Sequence, residues 1–373
     1  MQNTINLVAP CLFGVEGILA DELRRMKMEN VVAENGRVLF SGDFSAIARA
    51  NINSRYAERI LINLGEFTAT TFSELFENTK ALPFENFIGK DDAFPVNGWS
   101  LNSALFSIPD CQSIIKKAAV ERLKSKYGIS WFKETGPEYK IRFSILKNKV
   151  TVMIDTSGDG LHKRGYRRNS NAAPLKETLA AAMCDTARIY PDTCIFDPFC
   201  GSGTILIEAA MHAAHIAPGL NRFFAAERFS SIPKSVWQNE RTRAMDAILH
   251  NIDFNAHGFD IDESCVELTL ENAKKAGVER YITAAFGDVK NLQLPAGRSL
   301  LITNPPYGER LLDIKAAEEL YKTLGRVCPD EADKKYYIIS PHDEFEQFFG
   351  RTADKRRKLY NGMIKCQLFM YFR

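Results

Sequence analysis

Residues 194–210, CIFDPFCGSGTILIEAA, constrain the fold more than any other stretch of this chain. They read as a buried strand ending at Asp197, a glycine-rich turn, and an apolar helix from Thr204. A strand that runs through a two-glycine turn directly into a helix is the first half of a βαβ crossover, which requires a parallel partner strand and a sheet covered on both faces. Gly201 and Gly203 let the backbone turn tightly and a ligand approach it. The dinucleotide fingerprint G-x-G-x-x-G fails, because Leu206 stands where its third glycine belongs. NAD binding is therefore disfavoured.

The chain beyond residue 174 keeps this alternation. Helices are expected over 174–190, 204–217, 263–277 and 314–328, and strands over 193–197, 257–262, 281–286, 299–303 and 335–340. Such a pattern implies βαβ units in a mostly parallel sheet. Strands over 356–360 and 363–372 flank Asn361-Gly362, predicting an antiparallel hairpin at the sheet's end. Residues 217–250 exceed what a crossover needs and read as an inserted, largely helical excursion. Two smaller α/β patterns come first. Residues 1–68 show a strand (5–9), a helix (14–28), a hairpin about Asn35-Gly36, a helix (43–53) and a strand (59–67). Residues 69–156 show a helix (72–82), a strand (99–104), a basic helix (110–127) and two strands (139–146, 149–155) meeting at Lys147-Asn148. Residues 157–173, rich in Gly, Ser, Asn and basic side chains, form a linker that leaves 174–373 as the last domain. A chain of 373 residues has room for each part to bury its own core.

Hydrophobic content of 45% with 25% charged residues excludes disorder, collagen and coiled coil. The longest apolar stretch, 204–217, is interrupted by Glu208, His212 and His215 and is too short for a membrane span, and the N-terminus shows no secretory leader. Eight cysteines without a C-x-x-C pair point to reduced thiols in the cytoplasm. No metal site is expected: His212 and His215 lack an acidic or Cys partner and read as ordinary helix histidines. Net charge of +2 conceals strong segregation, with sixteen basic against ten acidic residues over 101–200 and seven against one over 351–373. The basic blocks are the helix with Lys116, Lys117, Arg122, Lys124 and Lys126, the linker with His162, Lys163, Arg164, Tyr166, Arg167 and Arg168, and the hairpin with Lys355, Arg356, Arg357 and Lys358. A nucleic-acid partner is thus allowed. A charged helix face by itself is as often merely solvated.

Three carboxylates close successive strands: Asp197, Asp260 in GFDID, and Asp288 in GD. Each alone is an ordinary turn or cap residue. In this order they line one crevice at the carboxyl edge of the sheet, where Asp260 suits a ribose diol and Asp288 an exocyclic adenine amine. The fourth strand ends in NPPYGER, residues 304–310. Its two prolines fix the backbone and remove two N–H donors, so the carbonyls and the Asn304 amide face the crevice, with Tyr307 as a flat surface for a base.

The motifs DPFCGSGT and NPPY together resemble the class I S-adenosylmethionine-dependent methyltransferases that act on exocyclic amines. LVAPCLFGVEGILADEL, SIIKKAAVERL, LHKRGYR and APLKETLAAAM extend the resemblance over nearly the whole chain, to the THUMP-domain RNA guanine-N2 methyltransferases of the large-subunit rRNA type. The resemblance implies an α/β architecture: a Rossmann-like class I methyltransferase domain, with a mostly parallel seven-stranded sheet and terminal antiparallel hairpin, preceded by ferredoxin-like and THUMP modules. It implies that Gly201 and Gly203, with Asp197 and Pro198, cradle the methionine part of S-adenosylmethionine. Asp260 would hold the ribose, Asp288 the adenine amine, and Ile261 and Val289 the adenine faces. Asn304 and the Pro305 carbonyl would accept hydrogen bonds from the target amine, with Tyr307 stacked on the base. Lys117, Lys163, Arg164, Arg167 and Arg168 would contact RNA, namely 23S rRNA or a ribosomal precursor. Guanine-N2 methylation of tRNA, N6-adenine methylation of RNA or DNA, and a non-catalytic RNA-binding or assembly factor remain alternatives. Carbon-5 pyrimidine chemistry wants a cysteine after the fourth strand; none lies within 299–310, and Cys200 reads as a packed side chain. The second methylating domain fused to some long relatives is expected to be absent from this sequence, and nothing in it defines the oligomeric state.

Overall fold

The computed structural model describes residues 4–167, 175–307 and 311–372. Its first sheet begins as β1 (Ile5–Pro10), α1 (Glu16–Arg25), β2 (Glu29–Glu34), β3 (Arg37–Gly42), α2 (Phe44–Asn53) and β4 (Leu61–Thr68). The order β2-β3-β1-β4, antiparallel throughout, interleaves two split βαβ units in the ferredoxin-like manner. Gly36 takes φ +73° in the β2–β3 turn, and the Asp43 carboxylate caps α2 by accepting from the Ala46 N–H.

The chain continues through α3 (Phe72–Lys80), β5 (Val96–Leu101), α4 (Ile108–Tyr127), β6 (Ile141–Leu146) and β7 (Lys149–Asp155). Lys147 and Asn148 both adopt positive φ, as a two-residue turn with matching twist requires. β5 lies three residues earlier than expected, set by its parallel pairing of Val96 with Ile141. β7 pairs with β4, from Leu61 opposite Asp155 to Thr68 opposite Lys149. The two N-terminal patterns, read separately along the chain, therefore share one seven-stranded sheet, β2-β3-β1-β4-β7-β6-β5.

The second sheet contains β8 (Cys194–Asp197), β9 (Asn255–Asp260), β10 (Ile282–Phe286), β11 (Ser299–Thr303), β12 (Lys334–Ser340), β13 (Lys355–Asn361) and β14 (Ile364–Tyr371). Around it lie α5 (Glu177–Ala187), α6 (Thr204–Ala213), α7 (Lys234–Asp246), α8 (Glu263–Ala276), α9 (Leu311–Val327) and a short α10 (Phe345–Phe349) that no periodicity marks. The order is β10-β9-β8-β11-β12-β14-β13, with β8 to β12 parallel and β14 antiparallel to both its neighbours. Strand order reverses between β8 and β11, which opens a crevice beyond their carboxyl ends. The hairpin turn is Gly362-Met363 rather than Asn361-Gly362, because Asn361 pairs with Ile364 and Gly362 takes φ +62° at the first turn position.

The excursion over 217–250 is less helical than expected, with α7 and a short 3-10 turn (Ala225–Arg228) as its helical parts. It works as a strap. Phe229 stacks on Tyr139 with centroids 3.8 Å apart, the Gly219 N–H donates to the Ile52 carbonyl, and Arg49 on α2 forms a forked ion pair with Glu240 on α7. These contacts bury aromatic surface between the sheets and hold the N-terminal part against the last domain. Among the described residues, no helix is long and apolar enough to cross a membrane.

Candidate active site

The carboxyl ends of β8, β9, β10 and β11 surround a cleft of about 490 Å³. Asp197, Pro198, Gly201, Asp260, Ile261, Asp288, Val289, Asn304, Pro305 and Tyr307 all line it, although they come from four strand ends spread over more than a hundred residues. Gly201 sits at φ +54° with open space where a Cβ would point. Its N–H donates to Asp260 Oδ2 at 2.9 Å, tying the glycine turn to the end of β9. Gly203 does not line the cleft. It takes φ +76° at the start of α6, where a Cβ would meet the Thr269 side chain, so it serves the packing of α6 on α8.

Asp197 is buried, and its Oδ1 accepts from Thr303 Oγ1 at 2.6 Å and from the Phe199 N–H at 3.1 Å. Burial pushes this carboxyl up to about 7, against the pull of those two hydrogen bonds. The Thr303 bond joins the end of β8 to the end of β11, immediately before Asn304. Cross-strand bonds of this kind leave no local trace in a sequence. Asp288 accepts from the Lys290 N–H at 2.9 Å, and Ile261 is 67% exposed, an apolar shelf on the cleft wall.

The Tyr307 hydroxyl donates to Asn304 Oδ1. Burial raises its pKa well above the ordinary phenol range, so it remains a donor. Behind it the Cys366 thiol of β14 lies 4.0 Å from the same hydroxyl, and Tyr321 of α9 donates to the Pro306 carbonyl at 3.2 Å. Neither Cys366 nor Tyr321 carries a sequence signal, since each reaches the site only through tertiary packing. Cys200 is buried, and burial pushes its thiol up to about 12, which suits a packed side chain and not a nucleophile. Among the described residues, no group of three His, Cys, Asp or Glu side chains could hold a metal ion.

The structure divides the expected RNA contacts. Lys117 is exposed beside the Phe76 ring, and Lys163 is exposed with Asp159 at 3.3 Å. Arg164 is buried: it pairs with Glu208 of α6 and donates to the Leu161 and Arg55 carbonyls. Arg167 pairs with Glu177 at 3.0 Å and donates to the Leu175 carbonyl and Thr204 Oγ1. Arg164 is buried and so is an internal tie, not a phosphate contact, and Arg167 is engaged within the chain through its Nη atoms. Arg168 lies outside the described residues. On α4, Lys116, Arg122, Lys124 and Lys126 each pair with a carboxylate, which largely neutralises that face.

Residues 164–369 match the family described as RMKL-like, methyltransferase domain. The chain belongs to this methyltransferase family. Residues 6–61 match the RlmL ferredoxin-like domain and 69–155 the THUMP domain. Methyl transfer from S-adenosylmethionine is the chemistry of the family, and the ordered carboxylates and open glycine turn suit that cofactor. The chain is 42% identical to YpsC of Bacillus subtilis (strain 168), a protein named as an RNA methyltransferase, over 98% of this chain and 95% of that one. It is 31% identical to the ribosomal RNA large subunit methyltransferase K/L of Cellvibrio japonicus (strain Ueda107), over 97% of this chain. That match covers 50% of the K/L protein, so the chain spans about half the length of such relatives. SMU.472, a protein described as a methyltransferase and solved in complex with SAH, superposes with a TM-score of 0.94 at 41% identity, over 100% of this chain and 99% of that one.

Proposed function

We propose that the chain methylates the exocyclic N2 amine of a guanine in structured RNA, in 23S rRNA or a ribosomal precursor, in the cytoplasm. One observation carries the reading: the Asn304 carboxamide, oriented by the Tyr307 hydroxyl, shares one cleft with the open glycine turn and the strand-end carboxylates. The donor set fits the cofactor, with Asp260 for the ribose diol, Asp288 for the adenine amine, Ile261 and Val289 for the adenine faces, and Gly201 for the methionine part. When bound, S-adenosylmethionine supplies an electrophilic methyl group.

The chain's own contribution is positional. Asn304 Oδ1 and the Pro305 carbonyl accept the two amine hydrogens, which reduces conjugation of the nitrogen with its ring and aims its lone pair. Alignment of this kind contributes up to about 7–11 kcal/mol in ideal cases. A strong base is unnecessary, because the nitrogen becomes acidic once methylated. Tyr307 offers its ring to a base that has left the helical stack. The THUMP match and the rRNA names of the K/L relatives support RNA as the substrate. N6-adenine methylation would use the same tetrapeptide, so the product must decide.

In Asn304→Ala, methyl transfer is expected to vanish while calorimetry shows unchanged cofactor affinity. Lost cofactor affinity with intact single-turnover chemistry would sink the assigned role. In a deletion strain, mass spectrometry of rRNA and tRNA nucleosides is expected to miss N2-methylguanosine in 23S rRNA. Its loss from tRNA would move the substrate, and loss of N6-methyladenosine would overturn the guanine assignment.

A further inference from the structure

β13 and β14 form a ribbon with two unlike faces. Leu359, Cys366 and Leu368 point inward and are buried, whereas Lys358 and Lys365 are exposed on the other face. At the turn, Met363 is 97% exposed, an apolar side chain with no packing role inside the chain. Between the lysines lies Tyr360, with Lys358 Nζ 5.4 Å from its ring centroid and the half-exposed Phe13 ring edge-on at 5.8 Å. Among the described residues, neither lysine has a carboxylate partner, in contrast to the paired cations of α4.

The inward face of the same ribbon reaches the catalytic cleft through Cys366, whose thiol is 4.0 Å from the Tyr307 hydroxyl. A strand rises about 3.4 Å per residue, so Met363 at the hairpin tip stands about 10 Å along the ribbon from Cys366. We propose that this outward face binds the RNA strand next to the target nucleotide. Lys358 and Lys365 take backbone phosphates, Phe13 and Tyr360 offer stacking surface, and Met363 fills the gap left by the extruded base. A base must leave its stack to reach Asn304, and an apolar side chain placed in the vacated step offsets the lost stacking. Unpaired cations interleaved with aromatic rings are the chemistry that recognises a single strand. The inference rests on the reading of the substrate as RNA.

The test uses the full chain and an unmodified 23S rRNA transcript. Replacing both lysines, Lys358→Glu with Lys365→Glu, is expected to weaken binding at least about tenfold and to flatten the dependence of log Kd on log salt by about 1.4–1.8, the share of two phosphate contacts. Met363→Ala is expected to leave Kd near wild type and to lower kcat roughly tenfold, because extrusion and not docking is impaired. Melting temperature and S-adenosylmethionine affinity should stay unchanged in both, since these side chains are exposed and outside the cofactor cleft. A double variant with the wild-type salt slope, or Met363→Ala with wild-type kcat, would overturn the assignment while leaving the proposed activity intact. Wild-type transfer to a tRNA transcript and not to 23S rRNA would instead overturn the substrate, and the same slopes and kcat values on tRNA then decide the role of the hairpin.

Discussion

Arg164 belongs to a basic run, yet its guanidinium is buried beside the Glu208 carboxylate and the Tyr166 hydroxyl, which donates to Glu208 at 3.0 Å. Among the described residues, the second Glu208 oxygen has no hydrogen-bond partner, so the pair is finely balanced. Removing the cation alone leaves a buried carboxylate uncompensated. Arg164→Met is therefore expected to cost about 3–5 kcal/mol in urea unfolding, and adding Glu208→Gln should recover part of the loss. An Arg164→Met protein as stable as wild type, with weaker RNA binding, would return Arg164 to the interface. Placement at the cleft was legible where a motif demands it, as at Asp260 and Asn304. Burial was not legible for Arg164, because a charge run does not say which of its members a neighbouring domain will cover.

Outside α10 and the 217–250 excursion, the helices and strands of the last domain were readable from periodicity, since each buries a face within its own crossover. What periodicity omits is where elements touch. Gly14, between β1 and α1, has φ +88°, and a Cβ there would run into the carbonyl oxygen of Lys358 on β13. Gly14→Ala is expected to lose about 2 kcal/mol or more, combining the cost of a positive φ with displacement of the hairpin. Gly128, at φ +65° with nothing near its missing Cβ, supplies the control, and Gly128→Ala should cost only about 1 kcal/mol. Equal melting temperatures for the two variants would show that the contact between β13 and the N-terminal loop is soft.

At the scale of the whole molecule, Glu58 ties the first module to the linker and the last domain: it accepts from Thr178 Oγ1 at 2.7 Å, meets His162 at 3.1 Å, and pairs with Lys176 at 3.3 Å. Burial works against its ionisation, but these partners win and hold its carboxyl near 2, below the ordinary 4.5. Its stabilisation is present above pH 4.5 and is lost as pH falls towards 2, on the order of 3 kcal/mol. His212, lowered by burial to about 3 from 6.5, adds a loss as pH falls through that range. Glu22 and Asp197, raised by burial to about 7, act oppositely: their contribution is full below about 4 and fades as pH rises through 7. From these groups melting temperature should therefore rise as pH falls from 7 to about 4, because the two raised carboxyls outweigh His212, and fall below 4, with a shallower fall in Glu58→Gln. An unchanged acid limb in that variant would remove Glu58 from the junction. The sequence by itself determined the parallel domain, the glycine turn, the three strand-end acids and the NPPY loop, because backbone turning and strand periodicity are local constraints. Tertiary structure alone decided the shared β4–β7 sheet, the Asp197–Thr303 tie, the burial of Arg164 and the placing of the C-terminal hairpin beside Tyr307. These depend on which surfaces meet across long chain separations, and pairing energies of that kind are set by the assembled neighbours and not by any one segment.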